Sequence, residues 1–105
     1  MMLLDSCALL WLADGSDRLI REAREQIGAA VSVHISAVTG FEIGVKYRAG
    51  KLVLPALPAE WLKVVLDHHR IGVIPLDLPI CVTATELPML HRDPYDRLII
   101  ATARS

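Results

Sequence analysis

The sequence predicts an α/β fold, a parallel sheet with helices on its faces, and three observations predict it. Short apolar runs that read as strands are separated by segments with helical periodicity, which implies crossover connections between parallel strands. Gly and Pro punctuate the joints between these segments. The chain has 105 residues, 53% of them hydrophobic and 22% charged. That is enough for one domain with a real core, and too apolar for a disordered chain.

The elements follow in order. Residues 1–4 (Met-Met-Leu-Leu) form a buried strand, and residues 6–13 a short helix that stops at Asp14-Gly15. Ser16 is placed to cap a charged helix over residues 17–27, which Gly28 ends. Residues 31–35 are a second strand, followed by a helix over 37–48 with Gly50 as its stop. Residues 51–58 are extended and bounded by prolines. Trp61, Leu62, Val65 and Leu66 recur at helical spacing in residues 59–69. Residues 72–76 make a third strand, 79–87 a helix and 94–104 the last helix. No repeat or interdomain linker interrupts this order, so residues 1–105 read as a single domain.

Composition narrows the function. The net charge is −1, with 11 basic against 12 acidic residues. A protein that holds nucleic acid chiefly by neutralising phosphates is more basic than this. Contact with nucleic acid is therefore expected to be local or carried through a metal. Cys7 and Cys81 match no metal spacing and read as free thiols in a cytoplasmic protein. No apolar run approaches the roughly 20 residues needed to cross a bilayer. The core is mostly aliphatic, since the chain has five aromatic residues. Trp11 and Trp61 suit either core packing or an interface.

Three carboxylates occupy positions where an acid is a poor structural choice, and a buried ionised carboxylate is costly unless paired or bound to a metal. Asp5 ends the first strand, at the carboxyl edge where parallel sheets bind ligands; it also suits an N-cap. Glu42 falls on the helical stripe Val38, Phe41, Val45, Ala49, with Lys46 one turn on as a possible ion-pair partner. Asp96 heads the face Ile99, Ile100, Ala103, and it also suits the first turn of a helix that Asp93-Pro94 opens. If Asp5, Glu42 and Asp96 converge, they make a site for a hard cation such as Mg²⁺ or Mn²⁺. The four histidines show no zinc spacing: His68 and His69 are adjacent, His34 sits within a strand, and His91 is expected at the rim of the site. No nucleophile motif or phosphate-cradling glycine loop is present.

Residues Leu3-Leu4-Asp5-Ser6-Cys7-Ala8-Leu9-Leu10-Trp11-Leu12 resemble the opening of PIN-domain proteins of the VapC toxin type. Ser36-Ala37-Val38-Thr39-Gly40-Phe41-Glu42-Ile43, with Lys46 and Gly50-Lys51-Leu52, resembles their second motif. Leu87-Pro88-Met89-Leu90-His91-Arg92-Asp93-Pro94-Tyr95-Asp96-Arg97-Leu98-Ile99-Ile100-Ala101 resembles the third. The likeness runs the length of the chain.

The resemblance implies a three-layer α/β/α sandwich and a Mg²⁺- or Mn²⁺-dependent endoribonuclease. It also implies the toxin half of a type II toxin–antitoxin pair, with RNA as substrate, an antitoxin as protein partner and homodimers as the assembly. Carried over by position, Asp5, Glu42 and Asp96 are the catalytic, metal-holding acids, and Asp93 is peripheral. Ser6 and Thr39 fall where small hydroxyl residues orient the acids or a water, and Lys46, Arg92 and Arg97 are candidates for phosphate contact. Family members usually continue past the last helix into another strand with a Thr-x-Asp-like segment that supplies a fourth acid. Here Ala101-Thr102-Ala103-Arg104-Ser105 closes the chain, and neither Asp77 nor Glu86 matches that segment. The fold is therefore expected to lack the last strand. The alternative function is a catalytically inactive remnant that binds an antitoxin or another protein.

Overall fold

A computed structural model describes residues 1–88 and 92–105. Its elements run β1 (Met2–Leu4), α1 (Ser6–Asp14), α2 (Arg21–Ala29), β2 (Val33–Ser36), α3 (Ala37–Arg48), α4 (Pro58–His68), β3 (Ile71–Ile74), α5 (Leu78–Thr85) and α6 (Pro94–Arg104). The three strands form one parallel sheet in the order β1-β2-β3. Leu3 lies beside His34, and His34 beside Gly72. The predicted α/β architecture holds.

Alternation along the strands divides the interior in two. Leu4, Val33, Ile35 and Ile71 pack on one face with Leu9, Ile43 and Trp61 from α1, α3 and α4. On the other face, Ile74 joins Ile80, Ala84, Leu98 and Ala101 from α5 and α6. Trp61 is thus a core residue. Gly72 is small for a specific reason: a Cβ there would come within 2.7 Å of the His34 ring. His34 is a packed side chain of the sheet.

Most helix ends follow the expected capping chemistry. Asp5 Oδ1 accepts the Ala8 N–H at 2.8 Å, and Gly15 closes α1 in the left-handed region at φ 63°. Asp77 and Asp93 cap α5 and α6 in the same way, each just ahead of a proline in the first turn.

α2 departs from the sequence reading. It begins at Arg21 instead of residue 17, and Gly28 lies inside it. Ser16 caps a turn instead, accepting the Arg18 N–H at 3.2 Å. Leu19 is buried, and Arg24 reaches back to the Ser16 and Leu19 carbonyls. Together they hold residues 16–20 in a turn and delay the helix.

Among the described residues, β1 pairs on one side only, with β2. A cleft of about 300 Å³ is lined by Leu3 and Asp5 together with Leu19, Ile27 and Ile99.

Candidate active site

Parallel strands deliver the site. β1 and β2 each run directly into a helix at their carboxyl ends, through Asp5-Ser6 and Ser36-Ala37. This sets the first turn of α1 next to α3. α6 packs antiparallel to α3: Thr102 Oγ1 lies 3.5 Å from Ser36 Oγ at one end, and the Tyr95 ring meets Phe41 toward the other. The amino end of α6 therefore comes to the same region.

The centre is Glu42, which is 8% exposed. The Ser6 hydroxyl of α1 donates to its Oε1, and the Lys46 ammonium donates to its Oε2 at 2.8 Å. The sequence placed Glu42 on the same stripe as Phe41 and Val45. The buried face of α3 is instead Val38, Thr39, Glu42 and Ile43, with Phe41 and Val45 exposed. The stripe is turned because the sheet and α1 contact α3 on the Thr39–Ile43 side, where a Ser6–Glu42 pair replaces an apolar contact.

Lys46 is a resident cation of this acidic centre. Its hydrogen bond to Glu42 raises its pKa above the ordinary lysine value, partial burial opposes that rise, and the charges of Glu42, Cys7 and Asp93 add to it. Asp93 thus belongs electrostatically to the same site, although its Oδ1 is used to cap Tyr95 at 2.9 Å. Asp5 is exposed beside Ser6, with one carboxylate oxygen given to the α1 cap. Asp96 is exposed in the first turn of α6. His91 lies outside the described residues.

Among the described residues, no three acid, imidazole or thiol side chains are gathered as a ready-made ligand set. Asp5 and Asp96 stand exposed at the amino ends of α1 and α6, whereas Glu42 is buried between Ser6 and Lys46. The donor chemistry nevertheless fits a hard cation, because Mg²⁺ commonly takes one or two carboxylates and keeps several waters. Thr39 supplies a further hard oxygen. Its hydroxyl is fully buried one turn before Glu42, and makes no hydrogen bond among the described residues. A buried hydroxyl without a partner calls for one, and a lysine ammonium already meets the acids' demand for positive charge.

Arg97 does something the sequence did not foretell. Its Nε donates to the Ala84 carbonyl at 2.9 Å, and its terminal nitrogens donate to Thr85, Leu87 and Pro88 at 2.8–3.2 Å. The guanidinium satisfies carbonyls at the end of α5 and the turn after it, and complements that helix's negative end. Sequence reasoning also passed over Phe41 and Tyr95 as a pair. The signal was available, since each aromatic directly precedes a candidate acid.

The family model for the PIN domain matches residues 2–105. The chain is also 32% identical over 104 residues to Ribonuclease VapC22 of Mycobacterium tuberculosis, covering 97% of this chain and 78% of that relative. No solved structure matches it.

Proposed function

We propose, from the premise that this chain belongs to the PIN domain family, that it is a metal-dependent endoribonuclease and the toxin half of a type II toxin–antitoxin pair. The observation that carries the reading is the buried Glu42 carboxylate, held by Ser6 and Lys46 at the carboxyl edge of the parallel sheet. An apolar side chain would serve stability there at least as well.

Asp5, Glu42 and Asp96 would hold Mg²⁺ or Mn²⁺. When bound, such an ion lowers the pKa of an attacking water and neutralises charge developing on the phosphate. The protein's own groups do the rest. Ser6 fixes one Glu42 oxygen. Thr39 offers its free hydroxyl to a water beside Glu42, and Asp93 keeps the amino end of α6 folded against the site. Lys46 and Arg92 take the phosphate contacts, since Arg97 is committed to the end of α5. The RNA is the substrate, a cognate antitoxin and a second copy of the chain are the partners, and the setting is the cytoplasm. No helix among the described residues is long and apolar enough to cross a membrane, and both cysteines are free thiols.

Asp5→Asn tests the assignment cleanly because Asn caps a helix about as well as Asp. The variant should keep the wild-type melting temperature and lose Mn²⁺-dependent cleavage of RNA. Cleavage at the wild-type rate would remove Asp5 from the mechanism. A second reading, an inactive PIN-like remnant that binds protein, draws on the absence of a gathered ligand set among the described residues. Millimolar Mn²⁺ decides between the two: an ion bound by the native state raises the melting temperature, and a flat response supports the remnant.

A further inference from the structure

We propose that Phe41 and Tyr95 form a base-stacking site on the rim of the acidic centre, for the nucleoside next to the scissile phosphate of a single-stranded RNA. This rests on the nuclease reading above and adds the form in which the substrate is presented. The cleft that runs from Phe41 to Arg48 along the outer face of α3 is the seat of that nucleoside.

Phe41, Gly44, Val45 and Arg48 recur at i, i+3, i+4 and i+7 on the side of α3 opposite Ile43. Phe41 is 65% exposed and Val45 is 42% exposed. A ring left so open gains nothing for the fold, whereas covering it with a ligand does. It lies 6.2 Å from the Tyr95 ring at an interplanar angle of 54°, the separation of a tilted aromatic pair. The two rings come from different helices, and each belongs to the residue directly before a candidate acid, Glu42 or Asp96. The Asp93 cap on the Tyr95 amide sets the first turn of α6 that carries the ring.

The cleft has a volume of about 600 Å³ and is lined by Gly40, Phe41, Gly44 and Arg48 of α3 together with Leu57 and Pro58 at the start of α4. A Cβ built on Gly44 would meet nothing within 4 Å, so the cleft is open there to a flat ligand. Single strands are held by this combination of aromatic faces beside cations, because every base has a π-face. Each ring sits one residue from a candidate acid on its own helix, so a strand with its phosphate at those acids is offered a ring face by both α3 and α6. An apolar protein helix would be served by aliphatic side chains and has no need of ring faces.

The test is the affinity of a fluorescein-labelled single-stranded oligoribonucleotide, measured in Ca²⁺ for wild type, Phe41→Leu, Phe41→Trp and Gly44→Leu. Phe41→Leu should weaken binding about tenfold, the scale of one lost base stack, and leave the salt dependence unchanged because no phosphate contact is removed. Phe41→Trp should bind as tightly as wild type or better. Gly44→Leu, which fills the cleft and has room to fold, should also bind more weakly.

If Phe41→Leu binds as tightly as wild type, the stacking site is overturned while the nuclease reading stands. If Phe41→Leu keeps its RNA affinity but loses self-association in sedimentation, the stripe is a contact between copies of the chain. If the wild type neither binds nor cuts RNA, the nuclease reading falls and this inference falls with it.

Discussion

Lys46 and Glu42 set the electrostatics of the site with two side chains. An exposed i,i+4 pair is worth about 0.3–0.5 kcal/mol; this one matters more because Glu42 has little water to fall back on. Lys46→Met should lower stability by about 1–2 kcal/mol near neutral pH, the cost of a buried acceptor losing its partner. The pH dependence follows from the direction of the shift. The folded-state pKa of Lys46 lies above its unfolded value, so the stability it contributes is complete below the ordinary lysine range. That stability is lost as pH rises through the folded pKa. Urea unfolding of wild type and Lys46→Met should therefore differ near neutral pH and converge in strong alkali. A difference that persists there would mean that Lys46 acts by packing its stem. The same exchange should sharpen the Mn²⁺-induced rise in melting temperature, because a competing cation is gone.

At the scale of elements, α5 and α6 are joined by one side chain as much as by their apolar contact. The fork of Arg97 matches several carbonyls at once, a geometry that a lysine ammonium cannot reproduce. Arg97→Ala should cost about 2–3 kcal/mol in thermal unfolding, and Arg97→Lys should recover less than half of that. Full recovery by lysine would show that charge, rather than the planar fork, secures the end of α5. Helix boundaries were legible where a cap or a proline fixed them: α3 and α6 span the residues that Gly50 and Asp93-Pro94 announce. The start of α2 was not legible. It depends on where Leu19 is buried and on Arg24 reaching back to two carbonyls, and neither has a local signature.

For the whole molecule, the order of strands and helices was readable from spacing and punctuation alone. The acids were readable as anomalies, since Glu42 amid apolar neighbours and Asp5 at a strand end each violate a local preference. What could not be read was which face of α3 turns inward. Phe41 and Val45 are more apolar than Glu42, so periodicity put all three on one stripe, whereas packing against α1 buries the acid and leaves the ring outside. The carbonyl partners of Arg97 were likewise hidden, because its charge is visible in sequence and the groups it meets are not. A parallel sheet brings such residues together through long crossovers, and those contacts leave no trace in the spacing of neighbours.

Among the described residues β1 pairs on one side only, and that has a consequence for how the site fails. A strand secured on one side opens at a lower free energy than one secured on both, and such local opening precedes global unfolding. Asp5 and Ser6 hang from the end of that strand, so the carboxylate arrangement should loosen while the central strand β2 remains paired. Deuterium exchange should find the β1 amides less protected than those of β2, and cleavage should decline on heating before the bulk transition begins. The site's geometry would then depend on one three-residue strand more than on total stability.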